Sequence, residues 1–254
     1  MITCRVDRVR PALQPLRRIM LKKELIRRSP IRILEQSIHG GLGKGNLGVF
    51  TARKGVGKTA CLVHVSIDKI LRGQKVLHIS FAEDPRHIET WYEQVFLEVS
   101  RSYKLENVID DHDQVIKNRK IMHFRRPLVL ENIRSSIMNF TEALNFLPEV
   151  VIVDGFSFYD HDESHFQFWK KLAEDLQTAV WFSATLHREK LELDDQGIPT
   201  PVNRFKGFFS VIIMLHPQPD HIDLDLLKDH DNLPLSKLHL ELDTGTMLIV
   251  NRNT

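Results

Sequence analysis

Ala52-Arg53-Lys54-Gly55-Val56-Gly57-Lys58-Thr59 is the stretch on which the reading of this chain turns. Apolar Leu47, Val49 and Phe50 precede it, as in a buried strand. Ala60-Cys61-Leu62-Val63 follows it, as in the first turn of a helix. A strand, a glycine-bearing loop and a helix N-terminus together make an anion site, because backbone N–H groups converge there and the helix dipole favours negative charge. Gly55 and Gly57 let the backbone curl without a Cβ clash. Lys58 reaches the β- and γ-phosphates in such a loop, and the Thr59 hydroxyl ligates Mg²⁺. The usual pattern is G-x-x-x-x-G-K-[ST]; Ala52 stands where the first glycine falls. Residues Ala52, Arg53, Lys54, Gly55, Val56, Gly57, Lys58, Thr59 and Ala60 are therefore the expected nucleotide contacts.

The 254 residues suit one sizeable α/β domain with an appendage. With 42% hydrophobic and 27% charged residues, the composition predicts a globular core. A net charge of +2 does not by itself imply nucleic acid. The two cysteines, Cys4 and Cys61, outline neither a disulfide framework nor a zinc site, which fits a reducing cytoplasm. No apolar run approaches membrane-spanning length, so no membrane partner is expected. The first nineteen residues carry Arg5, Arg8, Arg10, Arg17 and Arg18 against Asp7 alone. A basic arm, a transit peptide and a translation start at Met20 are the three readings, and the last is favoured. Residues 1–37 are read as a basic extension with a leading helix, and 38–254 as the catalytic domain.

From residue 38 to 250, strand-like and helix-like patterns alternate, predicting a central, mainly parallel sheet covered on both faces: a three-layer α/β sandwich. After the loop and its helix come a strand at 75–81, a helix at 85–99 and a polar connection around Asp110 to Asp113. A short strand at 120–124 and a helix at 128–147 follow. The strand Val150-Val151-Ile152-Val153-Asp154 precedes a helix at 166–176, then strands at 179–183 and 208–215. Asp243-Thr244-Gly245-Thr246 reads as the turn of a C-terminal β-hairpin.

Phosphoryl transfer also needs a held Mg²⁺ and a group that orients water. Asp154 ends an apolar strand and precedes Gly155, which places it on the Mg²⁺ side. No glutamate follows it. Glu83, at the end of the strand after the loop helix, is the chosen base, because strand C-terminal ends gather at one sheet edge. Asp84 beside it is the second choice, and helix capping is the alternative role for the pair.

In this arrangement the chain resembles the RecA-like P-loop ATPases, especially the KaiC-like and DnaB-type branch. The resemblance rests on the loop, on the Gly40–Gly48 lead-in, and on His78-Ile79-Ser80-Phe81-Ala82-Glu83-Asp84-Pro85. Glu149 to Gly155 and Val180 to Arg188 complete it. It spans most of 38–250, and the loop is its only highly specific part. It implies a RecA-like fold, ATP and Mg²⁺ as cofactors, and Lys58 with Glu83 as catalytic residues. It further implies Thr59 and Asp154 on the metal, Thr185 near the γ-phosphate sensor, and work as a homo-oligomer. Lys228-Asp229-His230 sits where some relatives carry Lys-x-Arg, which implies Lys228 as the residue inserted into a neighbour's site and His230 as a weaker second charge. A charged loop in an Asp-rich stretch is the equal alternative.

Loops at 156–165 and 189–206 follow strands at the same sheet edge, where RecA-like motors face DNA. Phe156, Phe158 and Tyr159 suit base stacking, whereas Asp160, Asp162 and Glu163 repel phosphates. Ordinary solvated loops and core aromatics are the favoured alternative. His161 and His165 are a weak metal candidate. Asn-Lys-x-Asp, the base-recognition motif of many GTPases, is missing from the sequence, which leaves ATP as the expected nucleotide. The function expected is that of a Mg²⁺-dependent, slow oligomeric ATPase in DNA transactions. The alternative is an ATP-switched regulatory or scaffold module that touches no nucleic acid.

Overall fold

The computed structural model describes residues 29–81, 84, 86–125, 129–187, 191–231 and 237–251. The N-terminal basic segment and Glu83 lie outside these residues.

The loop strand β1 (Leu47–Arg53) feeds helix α2 (Lys58–Leu71), and a shorter helix α1 (Pro30–Ser37) comes before both. The chain continues through β2 (Val76–Ser80), α3 (Arg86–Ser102), α4 (Val108–Asn118), β3 (Arg119–His123) and α5 (Leu130–Ala143). Then come β4 (Val150–Asp154), α6 (Glu163–Asp175), β5 (Ala179–Leu186) and β6 (Phe209–Pro217). It ends in β7 (His221–Asp229), β8 (Lys237–Asp243) and β9 (Ile249–Asn251).

All nine strands form one sheet in the order β3-β2-β4-β5-β1-β6-β7-β8-β9. From β3 to β6 every pairing is parallel; from β6 to β9 every pairing is antiparallel. Strand side chains alternate between faces, and the core divides accordingly. Phe50, Val76, Ile152, Trp181 and Ile213 meet α1 to α4 on one face. Val49, Ile79, Val153, Phe182 and Ile212 meet α5 and α6 on the other. The result is the three-layer arrangement expected, with the β8–β9 hairpin at one edge.

Two segments differ from the sequence reading. The polar connection around Asp110 to Asp113 is part of helix α4. Val115 and even Asp111 are buried on its inner side, and Asp110 and Asp111 sit in the first turn, where the helix dipole favours them. The Asp-rich run before Lys228 is strand β7 rather than a loop. Ile222, Leu224 and Leu226 alternate inward with Asp223 and Asp225 between them, a period-two pattern masked by its charge density. In α3 the buried aromatics are Tyr92 and Phe96, and Trp91 is only partly buried.

Helix α1 is held on the same body as the loop helix. Ser29 caps it through Ile31 N–H at 3.2 Å. Arg32 pairs with Asp68, and Glu35 with Lys69 and Arg72 of α2 and the segment just beyond it.

Candidate phosphate-binding site

Residues 54–57 turn between the end of β1 and the start of α2. Gly55 and Gly57 have φ of 84° and 110°, backbone that L side chains rarely adopt. At Gly57 a second constraint applies: a Cβ there would lie 2.3 Å from Leu242 Cδ2 of β8. The C-terminal hairpin thus backs the loop, a contact with no local signal in the sequence.

Lys58 is the first residue of α2 and is only 7% exposed. Its Nζ donates to the carbonyls of Ala52 at 3.0 Å and Arg53 at 2.8 Å, so the side chain folds back under its own loop. Burial lowers the ammonium to about 8, partly opposed by the charge of Asp154.

Asp154 ends β4, on the α2 face of the sheet. The Thr59 hydroxyl donates to Asp154 Oδ2 at 2.8 Å. Ser183 Oγ donates to Asp154 Oδ1 at 2.5 Å and accepts from Gly155 N–H at 2.9 Å. Two oxygen-bearing groups, Thr59 and Asp154, therefore face each other beside a buried lysine, with Ser183 fixing the carboxylate. Oxygen donors of this kind suit a hard cation such as Mg²⁺. Ser183 was missed as a site residue. Its only signal is a polar residue at the inward position of an apolar strand, Val180 to Ala184, that borders the acid's strand.

Thr185 is exposed and pairs in register with Ala52, at the loop edge. Asp84 is exposed too, and its Oδ1 accepts from Arg86 N–H at 2.9 Å. That is the capping alternative, realised at the start of α3.

Lys228 lies elsewhere. It is paired with Ile212, which is level with Val49, well before β1 reaches the loop. Its Nζ donates to the Lys206 carbonyl at 2.9 Å, in a depression of about 310 Å³ lined also by Gln196, Gly207 and His230. Its own loop is out of reach.

Phe156 and Phe158 are 2% and 1% exposed. They belong to an aromatic cluster with Phe166, Phe182 and Phe209, so the core alternative holds for them. Lys206 of the second loop is paired with Asp194 at 2.7 Å; Arg188, Glu189 and Lys190 lie outside the described residues. His161 precedes α6 and stacks on Phe156, while Asp162 caps that helix and meets His165 Nδ1 at 2.9 Å. Among the described residues they form no group of three metal-ligating side chains.

No protein-family model and no curated protein sequence matches the chain.

Proposed function

We propose that the protein binds ATP with Mg²⁺ at this loop and hydrolyses it slowly, as a RecA-like ATPase working in an oligomer. One observation carries the reading: Thr59 and Asp154, 95 residues apart, meet at 2.8 Å beside Lys58 at the carboxyl ends of parallel strands. Ligands of open α/β sheets bind at that edge. Anion binding rests on the loop's N–H groups, on the α2 N-terminus and on Lys58, which must leave the Ala52 and Arg53 carbonyls to reach a phosphate. Mg²⁺, when bound, neutralises charge on the phosphates; Thr59 and Asp154 hold it, and Ser183 orients Asp154. Glu83 follows β2 and is assigned as the base that takes the proton from water.

Within this reading, DNA transactions compete with a switch that does not touch nucleic acid. The burial of Phe156 and Phe158 and the Asp194–Lys206 pair favour the switch, because stacking rings and free cations are what single strands need. The test is ATP binding and turnover with and without single-stranded DNA. Lys58→Ala is expected to lose most ATP affinity while keeping the fold. Glu83→Gln is expected to bind ATP and slow turnover by roughly a hundredfold or more. Equal ATP binding by Lys58→Ala and the parent would refute the phosphate loop. A rate unchanged by DNA supports the switch.

A further inference from the structure

We propose that His39, Asp229 and His230 form a divalent transition-metal site of the zinc type, at the sheet edge remote from the phosphate loop. Asp229 is the last residue of β7, and its side chain is 3% exposed. Each of its oxygens meets a different imidazole: Oδ2 lies 2.5 Å from His39 Nδ1, and Oδ1 lies 2.7 Å from His230 Nδ1. One ligand atom from each of the three residues falls within a 4.8 Å group, and among the described residues no other such group of histidine, cysteine and acid side chains occurs.

The three ligands come from two distant parts of the chain. His39 follows α1, where the chain turns with φ of 53°, and His230 turns out of β7 with φ of 51°. Non-glycine residues rarely take this conformation, so each imidazole is delivered to the carboxylate at some backbone cost.

The donor set selects the ion. Two imidazole nitrogens and one carboxylate suit zinc and its neighbours, whereas Mg²⁺ and Ca²⁺ prefer all-oxygen shells. Three protein ligands leave a fourth position for water, and the His39 side chain, 71% exposed, lies on the solvent side. Tetrahedral zinc at about 2.0–2.1 Å from each ligand separates the donor atoms by roughly 3.3 Å. The present contacts are shorter, hydrogen-bonded ones, so metal entry displaces the shared protons and widens the cluster. His39 is the member with room to swing. Bound metal would tie the segment after α1 to the end of β7.

The experiment is a zinc titration of the chelator-treated full chain by calorimetry, with metal content measured after desalting. One equivalent of Zn²⁺ should bind, and thermal stability should rise with it, since a ligand that binds only the folded state stabilises it. His39→Ala and His230→Ala should each weaken zinc binding by roughly tenfold or more. Because His39 is exposed, its variant should keep the parent's circular dichroism and its ATP binding. The outcome for zinc is therefore separate from the outcome for the phosphate loop. No uptake by the parent, or equal uptake by the double variant, overturns the site and leaves two His–Asp hydrogen bonds.

Discussion

Lys58 illustrates how one residue's surroundings set a measurable property of the proposed site. Its ammonium is buried under the loop and lowered to about 8 by that burial, so in the free protein it loses its proton within the ordinary working range. A bound polyphosphate favours the charged form and raises the value again. ATP affinity should hence be flat below pH 8 and fall above it, by roughly tenfold per pH unit, until the complex itself deprotonates. Calorimetry from pH 7 to 10 checks this; a flat profile would mean that Lys58 does not meet the phosphates. Gly57 offers a second test at this scale. Gly57→Ala forces a side chain into φ of 110° and against Leu242. It should lower stability by about 1–3 kcal/mol and weaken ATP binding; made in a Leu242→Ala background, which itself loses a fully buried side chain, the same substitution should cost less, because the clash is gone.

At the scale of elements, α2 is locked to its neighbours by a buried polar chain. His64 Nδ1 accepts the Ile249 N–H of β9 at 3.0 Å, which leaves the imidazole proton on Nε2, facing the Tyr103 hydroxyl at 3.3 Å. Tyr103 in turn shares a hydrogen bond with Ser29, the cap of α1. Burial pushes His64 down to about 3, and burial likewise lowers His78 to about 4. Both stay neutral in the folded protein and take protons near 6.5 once unfolded. Their contribution is complete above pH 6.5 and declines as pH falls toward those lowered values, at about 1.4 kcal/mol per pH unit for each. Glu35 adds a later loss. Burial raises its carboxyl, but Lys69, Arg72 and Arg32 outweigh that and hold it below 4.5, so its contribution disappears only as pH falls through the folded value. Asp68 works the other way, since burial raises it despite Arg32 and Arg72. Urea unfolding should show stability dropping from pH 6.5 downward, and His64→Gln should reduce that slope by about half between 6.5 and 4.5. An unchanged slope would show that His64 is not the titrating group.

For the whole molecule, the question is whether one copy is sufficient. Lys228 is two strands away from β1 and level with its middle, so it cannot reach the loop at 54–57 of its own chain. If it completes a neighbour's site, specific ATPase activity should rise with protein concentration, and Lys228→Ala should flatten the rise. A cation inserted across an interface can be worth orders of magnitude in rate. Mixing Lys228→Ala with Glu83→Gln subunits should restore part of the activity, because some interfaces then pair an intact Glu83 with an intact Lys228. Activity independent of concentration, or full activity in Lys228→Ala, would mean that one copy suffices and that Lys228 is a surface charge.

The glycine turn at 54–57, the strand before it and the helix after it, and Asp154 at the end of an apolar strand were legible in the sequence. Glycine spacing and hydrophobic periodicity are local properties, and they report local conformation directly. The layered parallel sheet followed from the alternation of those patterns. Strand β7 and helix α4 were obscured because runs of aspartate hid their inward apolar positions. Tertiary structure alone decided the rest. Parallel pairing of β4 with β5 brings Ser183 to Asp154, and the sheet's antiparallel extension carries Leu242 onto Gly57. The same folding puts Phe156 and Phe158 in the core and brings His39 to Asp229 across 190 residues. These contacts depend on the register and order of distant strands, and no short window of sequence carries that information.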